Sequence, residues 1–166
     1  NGSFEKTSLE PGCHSNLTNE EFSAAVEHVT AFGEFDQTDL YSDCFGMTAD
    51  GLFRVGLGAD GQASDAIALE LSGPLDLGAG GGYRLLFIAD YGATGGATST
   101  NVLVGVSSDP TSFGVQVGES GLLSDDPSEY EFLLEEEGPT YITLRVELDG
   151  DLGWAMIDDV RLELVD

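Results

Sequence analysis

A series of short apolar or alternating segments, separated by turn residues, fills the chain from Gly51 to its end. Segments of this length with a two-residue period are typical of β-strands, and the glycine, proline and aspartate between them are typical of tight turns. Strands at this spacing predict an all-β sandwich or barrel. The predicted strands cover residues 52–57, 66–71, 83–89, 102–106, 113–117, 129–134, 141–148 and 154–165.

The last predicted strand carries a carboxylate, Asp158, on the face that its apolar residues share. Because Asp149-Gly150 precedes this strand, the two final strands are predicted to form a hairpin. A buried carboxylate is costly unless it is compensated, and the chain has only five lysines and arginines, so we expect a cation near Asp158. The same parity predicts that Trp154 belongs to the core. Alternate residues of this strand are apolar, namely Trp154, Met156, Val160, Leu162 and Leu164.

Both ends of the chain carry a motif. The N-terminal NGSFE (residues 1–5) and the C-terminal WAMIDDVRLEL (154–164) resemble the first and last strands of carbohydrate-binding-module-like β-jelly-rolls. Between them, TDLYSDC, a glycine-rich strand, PLDLGAGGGYRLLFIADY, VGVSSDP and YITLRV follow in an order similar to such domains in large secreted proteins of marine bacteria. The resemblance implies a jelly-roll β-sandwich of two antiparallel sheets, a single domain over 1–166, and a secreted, extracellular location at the cell surface.

The resemblance also implies a structural Ca²⁺ that clamps the two terminal strands together. Glu5 and Asp158 are the expected carboxylate ligands, and backbone carbonyls of the N-terminal segment would complete the oxygen shell that Ca²⁺ prefers. Asp159 would replace Asp158 if a bulge reverses the parity of the strand. The alternative is that both aspartates are exposed and only the hydrophobic parity matters.

Carbohydrate binding is the function that the resemblance implies, through aromatic rings that stack on sugars and polar groups that bind hydroxyls. Tyr91, at the end of a predicted strand and before a glycine-rich stretch, is the first candidate, and Tyr41 and Tyr130 follow. The alternative for each tyrosine is a half-buried ring with its hydroxyl in water. The expected partner is a polysaccharide or a cell-surface glycan.

The chain is predicted to be non-catalytic, whichever of the predicted functions applies. His14 and His28 are the only histidines, and neither belongs to a known nucleophile or zinc-protease motif. Besides glycan binding or cell adhesion, the alternative is a self-assembling structural subunit of an extracellular filament or surface layer. The partner would then be a copy of the same chain, joined through an exposed edge strand.

The charge of the chain argues against several classes of partner. Thirty-one acidic residues oppose five basic ones, which gives a net charge of −26. Binding to nucleic acid or to an anionic membrane surface requires clustered lysine and arginine, so the charge argues against both. No apolar run is long enough to insert into a membrane. Such acidity is consistent with a saline habitat or with a surface loaded with divalent cations.

The chain has two cysteines, Cys13 and Cys44, which allow one pairing. A disulfide is the natural interpretation in an oxidising compartment, and two free buried thiols are the alternative. Zinc binding is not expected, because no CxxC motif is present.

The first third of the chain is less regular. Residues 3–7 are predicted to form a first strand. Thr18 and Glu21 fit a capping box, and apolar residues at helical spacing then predict a short helix over 19–32 that ends at Gly33. The family resemblance suggests instead a strand near 26–32.

Overall fold

The computed structural model describes residues 2, 4–42, 44, 51–78, 81–92 and 100–165, which form eleven β-strands and one helix, α1 (Asn19–Ala25). The strands are β1 (Cys13–Leu17), β2 (Val29–Gly33), β3 (Thr38–Tyr41), β4 (Arg54–Asp60), β5 (Asp65–Glu70), β6 (Gly82–Gly92), β7 (Thr100–Ser107), β8 (Val115–Leu122), β9 (Ser128–Leu134), β10 (Tyr141–Leu148) and β11 (Leu152–Val165).

The strands form two sheets, and every pairing between them is antiparallel. One sheet has six strands in the order β1-β3-β4-β11-β6-β9, and the other has five in the order β2-β5-β10-β7-β8. Strands that follow one another in sequence often lie in opposite sheets, as in a jelly roll. The predicted all-β jelly-roll sandwich is confirmed.

The core lies between the inner faces of the two sheets. Leu57, Phe87 and Ile157 enter it from the six-stranded sheet, and Ile67 and Leu144 enter it from the five-stranded sheet, all fully buried. Burying each such side chain stabilises the fold by about 1.5–3 kcal/mol. Because strand side chains alternate between faces, this core also fixes which residues point away from it.

The predicted hairpin at Asp149-Gly150 is wrong. The turn does separate two strands, β10 and β11, but β10 pairs with β5 and β7 whereas β11 pairs with β4 and β6. The turn therefore connects the two sheets. Turn residues indicate where the chain reverses and not which strands bond to each other.

The N-terminal third differs from two predictions, one of a strand and one of the end of the helix. Within the described residues of the segment 3–7, only Thr7 makes a β-bridge, to Val26, so a strand over this segment is wrong. The capping box is confirmed, because the side chain of Thr18 accepts the Glu21 N–H and the Glu21 side chain accepts the Thr18 N–H. The helix, however, ends at Ala25, and β2 follows, as the resemblance suggested.

A disulfide joins Cys13 in the edge strand β1 to Cys44, just beyond β3, with their Cα atoms 5.8 Å apart. The predicted pairing is confirmed. No helix in the described part of the chain is both long and apolar enough to cross a membrane.

Candidate functional site

The first half of β11 turns Trp154 and Met156 away from the core. Ala155 and Ile157 are fully buried among the core residues, so alternation places Trp154, Met156 and Asp158 on the outer face of the six-stranded sheet. The prediction that Trp154 belongs to the core is therefore wrong, because the parity in this half of the strand is the opposite of the predicted one.

A β-bulge reverses the parity in the middle of β11. Its pairing with β6 shifts by one residue between Asp158 and Arg161, and Asp159 has a positive φ of 49°. Beyond the bulge, Val160 packs against the core. The bulge frees the Val160 N–H from the ladder, and it donates to the carbonyl oxygen of Gly2 at 3.0 Å. The N-terminal segment therefore adjoins the last strand at this bulge.

An aromatic pair, Phe35 and Trp154, lies on this outer face. The rings meet edge to face, with centroids 6.4 Å apart and an interplanar angle of 74°. In the sheet, Trp154 pairs with Gly58 of β4 on one side and with Gly92 of β6 on the other. A Cβ atom on Gly58 would lie 2.6 Å from Phe35 Cε1, so glycine at this position is what allows Phe35 to approach.

The indole of Trp154 has an unusual hydrogen-bonding state. Its Nε1 atom is buried and has no hydrogen-bond partner among the described residues. A buried N–H without a partner costs free energy, which a ligand or an ordered water molecule can recover. The aromatic pair therefore combines an apolar ring surface with one buried N–H donor that has no partner among the described residues.

Beside the aromatic pair, Asp39 and Tyr41 of β3 form a buried polar contact. The Tyr41 hydroxyl donates to Asp39 Oδ2 at 2.7 Å, and the Asn16 N–H donates to Asp39 Oδ1 at 2.6 Å. Burial raises the pKa of Asp39, although both hydrogen bonds oppose this effect. Burial is also the main cause that raises the pKa of Tyr41 to about 12.

A buried ion pair, Arg54 with Asp90, completes the face. Arg54 Nη1 lies 3.3 Å from Asp90 Oδ2, and Nη2 donates to the Cys44 carbonyl oxygen at 3.2 Å. Burial raises the pKa of Asp90 in spite of the opposing effect of the guanidinium. We call Asp39, Tyr41, Arg54, Asp90 and Asp158 the outer-face polar cluster.

The aromatic pair and the outer-face polar cluster together carry the groups that bind a molecule with apolar faces and hydroxyl groups, although Asp39, Tyr41, Arg54 and Asp158 are themselves only 2–5% exposed. Ring surfaces pack against C–H groups, while carboxylates accept hydrogen bonds and a guanidinium donates them. We call this combined surface the outer-face site.

The three tyrosines predicted to stack on sugars lie elsewhere or are covered. Tyr41 is only 5% exposed, so its ring offers no stacking surface in this geometry. Tyr130 turns inward and stacks on Phe87 at 5.6 Å. Tyr91 is half-buried, and its hydroxyl is buried without a hydrogen-bond partner in the described part of the chain. None of the three joins the aromatic pair, so the ring surface that the structure does offer was not among the predicted residues.

The predicted calcium ligands have the following contacts. Glu5 accepts the N–H groups of Leu52 and Phe53 at 2.6 and 2.7 Å, both through Oε1. Asp158 is buried, and its Oδ1 accepts the Asp159 N–H at 2.7 Å. Across the described residues, no group of three or more histidine, cysteine, aspartate or glutamate side chains is arranged to hold a metal ion. A calcium site here would therefore depend on backbone carbonyls for most of its ligands.

Sequence reasoning missed Phe35 and the outward direction of Trp154. One sequence signal for them was present, since Gly56 and Gly58 alternate with apolar residues. Glycine inside a strand indicates that another group approaches the backbone closely. Here both glycines lie on the outer face, where Met156 and Phe35 approach them.

Comparison with known proteins supports the fold. No protein-family model matches the chain, and no curated protein sequence matches it. Several solved structures, in contrast, align with the chain. The CBM22-1 xylan-binding domain from Paenibacillus barcinonensis Xyn10C aligns over 96% of this chain and 99% of its own, with 12% identity and a TM-score of 0.53. The chain has the β-sandwich fold of carbohydrate-binding modules.

Two further structures show the range of this likeness. TmCBM61, solved in complex with β-1,4-galactotriose, aligns over 96% of this chain and 99% of its own, with 19% identity and a TM-score of 0.51. An arabinose-bound MgGH51 α-L-arabinofuranosidase aligns over 98% of this chain but only 26% of its own, with 9% identity and a TM-score of 0.60. The fold thus occurs both as a binding module and as one part of a larger glycosidase.

Proposed function

We propose that this protein is a non-catalytic, extracellular carbohydrate-binding or adhesion module that holds a glycan on the outer-face site. The observation that carries the proposal is the aromatic pair, in which Trp154 lies between Gly58 and Gly92 beside buried polar groups. The binding modules with the same fold support it, since one binds xylan and another was solved with a galactotriose. The disulfide fits an extracellular location.

The charges on the outer-face site favour a neutral glycan. Apart from Asp158, which is assigned to the proposed calcium site, the outer-face polar cluster holds the two carboxylates of Asp39 and Asp90 against the single guanidinium of Arg54. The chain as a whole carries a net charge of −26. A uronate or sulfated polymer would meet repulsion here, whereas the hydroxyls of a neutral sugar can donate to carboxylates.

Isothermal titration calorimetry tests the binding proposal. Neutral xylo-oligosaccharides and β-1,4-galactotriose are the probes, and oligogalacturonate is the anionic control. Trp154→Ala should weaken binding at least about tenfold, which corresponds to about 1.4 kcal/mol. Phe113→Ala is the matched control, because Phe113 is an aromatic residue in the connection between β7 and β8, where it packs under Arg145 of the five-stranded sheet. Binding that survives Trp154→Ala, or that prefers the anionic glycan, would contradict the proposal.

We also propose a structural Ca²⁺ held by Glu5 together with Asp158, or with Asp159 in place of Asp158. The Gly2–Val160 hydrogen bond brings the N-terminal segment to the bulge that carries both aspartates. Since both hydrogen bonds to Glu5 end on Oε1, Oε2 is the atom that would face a cation. When bound, the ion would add its binding free energy to folding.

Melting temperatures with Ca²⁺ and with EDTA test the calcium proposal. The wild type should melt at a higher temperature with Ca²⁺, and Asp158→Ala should remove this difference. Asp125→Ala, which changes an exposed aspartate, should preserve it. An equal Ca²⁺ effect in both variants would reject Asp158 as a ligand.

Self-assembly into a filament or surface layer is the second candidate function, and the edge strand β8 favours it. Val115 and Leu122 on this strand are 56% and 68% exposed, and unpaired edge strands can add a neighbouring chain. Sedimentation velocity with Ca²⁺ and with EDTA separates the two functions. A monomer that binds glycan supports the binding module, whereas large assemblies without sugar support the structural subunit.

A further inference from the structure

The fully buried carboxylate of Asp65 lies between β3 and β4, just beyond the last residues that pair between these two strands. Its Oδ2 accepts the Gly58 N–H at 2.9 Å, and its Oδ1 accepts the Gln37 N–H at 3.1 Å. In the β3–β4 ladder Asp39 pairs with Gly56, so the same register continued by two residues would place Gln37 opposite Gly58. The carboxylate accepts the two N–H groups that in a continued ladder would donate to carbonyl oxygens of the opposite strand.

This bridge holds the segment 34–37, which carries Phe35 to the aromatic pair. The Phe35 N–H points to the carbonyl oxygen of Ser64 at 3.5 Å, and Gln37 is bound by the neighbouring Asp65. Two of the hydrogen bonds that hold the segment therefore come from the dipeptide Ser64-Asp65, and a third is the one that Asp36 Oδ1 accepts from the Asn19 N–H at 2.6 Å. Because Gln37 is two residues from Phe35, loss of the hydrogen bond between Asp65 and Gln37 would alter the backbone that positions Phe35.

We propose that Asp65 is a positioning residue for the outer-face site, because its ionised carboxylate holds Phe35 against Trp154 and its protonation releases the segment 34–37. The consequence for binding rests on the proposed function, since it assumes that the aromatic pair receives the glycan. The position of Phe35 relative to Trp154 does not rest on it and can be measured without any glycan.

The ionisation of Asp65 falls in an accessible pH range. Burial is the main cause that raises its pKa to about 6, and its two hydrogen bonds oppose this effect. The charges on Asp39 of β3 and Asp36 of the segment 34–37 raise it further. From β2 and β4, the residues that meet Asp65 are Gly33 and Gly58, which bring no charge.

Protonation changes the hydrogen bonds in a defined way. A carboxylic acid keeps one carbonyl acceptor, and the oxygen that gains the proton becomes a weaker acceptor for the backbone N–H that faces it. One of the two bonds to Asp65 must then weaken. Gly58 is buried and Gln37 is exposed, so Gln37 can turn its N–H to water at the lower cost. The segment 34–37 is therefore the part that loosens.

Intrinsic fluorescence tests the positioning directly, because Trp154 is the only tryptophan in the chain. Its emission in the full-length wild type, recorded from pH 4.5 to pH 8 without glycan, should show a transition near pH 6. Asp65→Asn should remove this transition and give the low-pH emission throughout. Contributions from other titrating groups persist in Asp65→Asn and are subtracted by the comparison.

A second variant keeps the test decisive if Asp65→Asn does not fold. Asp36→Asn removes one of the charges that raise the pKa of Asp65, and it should lower the midpoint of the transition. Asp36 has a positive φ of 57°, which asparagine tolerates, and the amide oxygen can still accept the Asn19 N–H. An unchanged midpoint in Asp36→Asn, or an unchanged transition in Asp65→Asn, overturns the inference.

Glycan titrations at pH 5 and pH 7.5 complete the experiment. The wild type should bind a neutral oligosaccharide about fivefold more weakly at pH 5, equivalent to one lost hydrogen bond, and Asp65→Asn should bind equally at both. Wild-type affinity that does not depend on pH overturns the effect on binding. A fluorescence transition near pH 6 with no glycan binding at either pH supports the positioning by Asp65 and rejects the proposed function.

Discussion

Replacing Arg54 by methionine removes the buried ion pair of the outer-face site together with the hydrogen bond to the Cys44 carbonyl oxygen. Methionine keeps an apolar stem of similar length but removes the guanidinium from Asp90, whose side chain is only 13% exposed. Removing one partner of a buried ion pair typically costs about 3–5 kcal/mol, because the other charge stays buried without compensation. The remaining exposure of Asp90 places the expected loss near the lower limit, at about 3 kcal/mol at neutral pH.

The loss should depend on pH with a definite sign. Arg54 lowers the pKa of Asp90 against the effect of burial, so its removal raises that pKa further. A carboxyl group with a raised pKa in the folded state binds its proton more tightly there than in the unfolded chain. Its contribution to stability is full below the unfolded pKa and is lost as the pH rises through the folded pKa. The effect of Arg54→Met should therefore be largest near pH 7.5 and shrink towards pH 4.

Urea unfolding, followed by circular dichroism at pH 4 and pH 7.5, measures this effect. Adding Asp90→Asn to Arg54→Met should restore most of the stability at pH 7.5, because the buried charge is then absent. Arg84→Met is the control, since Arg84 is substantially exposed and pairs with Glu163 on the surface. An equal loss at both pH values, or no recovery with Asp90→Asn, would refute the electrostatic reasoning.

Two further predictions concern stability. Replacing Cys13 and Cys44 by serine opens a cross-link between residues 31 positions apart, which should cost roughly 3–4 kcal/mol in the chain-entropy model and lower the melting temperature by about 10 °C. Differential scanning calorimetry checks this, and an unchanged melting temperature would contradict it. Gly118→Ala should cost about 1–3 kcal/mol, because the new methyl group would overlap the Phe132 ring. The same change at Gly73, which has open space around it, should be nearly neutral in urea unfolding.

The strands were predictable because their signals are local. The segment 141–148 was predicted from alternation alone, and β10 spans Tyr141–Leu148. The capping box at Thr18 was predictable for the same reason, since it depends on two residues in one turn. Sheet membership depends on pairing across long sequence separations, which a turn signal such as Asp149-Gly150 does not specify.

The end of the helix shows where local signals conflict. Val26 and Val29 continue the apolar spacing of a helix, yet β-branched residues also favour a strand. In the structure Val26 caps the helix, and Val29 begins β2 and pairs with Leu69. Tertiary pairing therefore decided between two patterns that the sequence supports equally.

The direction of Trp154 was not predictable from the parity of β11, because the strand has two parities. Val160 and Leu162 pack against the core beyond the bulge, whereas Ala155 and Ile157 do so before it. A single extra residue, Asp159 in the left-handed region, separates the halves. Aspartate tolerates this conformation, but nothing in the sequence distinguishes such a residue from its neighbour.

The buried polar groups on the outer face are poorly explained by stability alone. A buried ion pair such as Arg54–Asp90 is often no more stabilising than apolar residues of similar volume. Asp39 likewise pays a desolvation cost that shows in its raised pKa. The sandwich already has a continuous apolar core between its sheets, which the outer face does not enlarge. Polar groups fixed in one geometry, with an unsatisfied indole N–H beside them, are instead what recognition of hydroxyl groups requires.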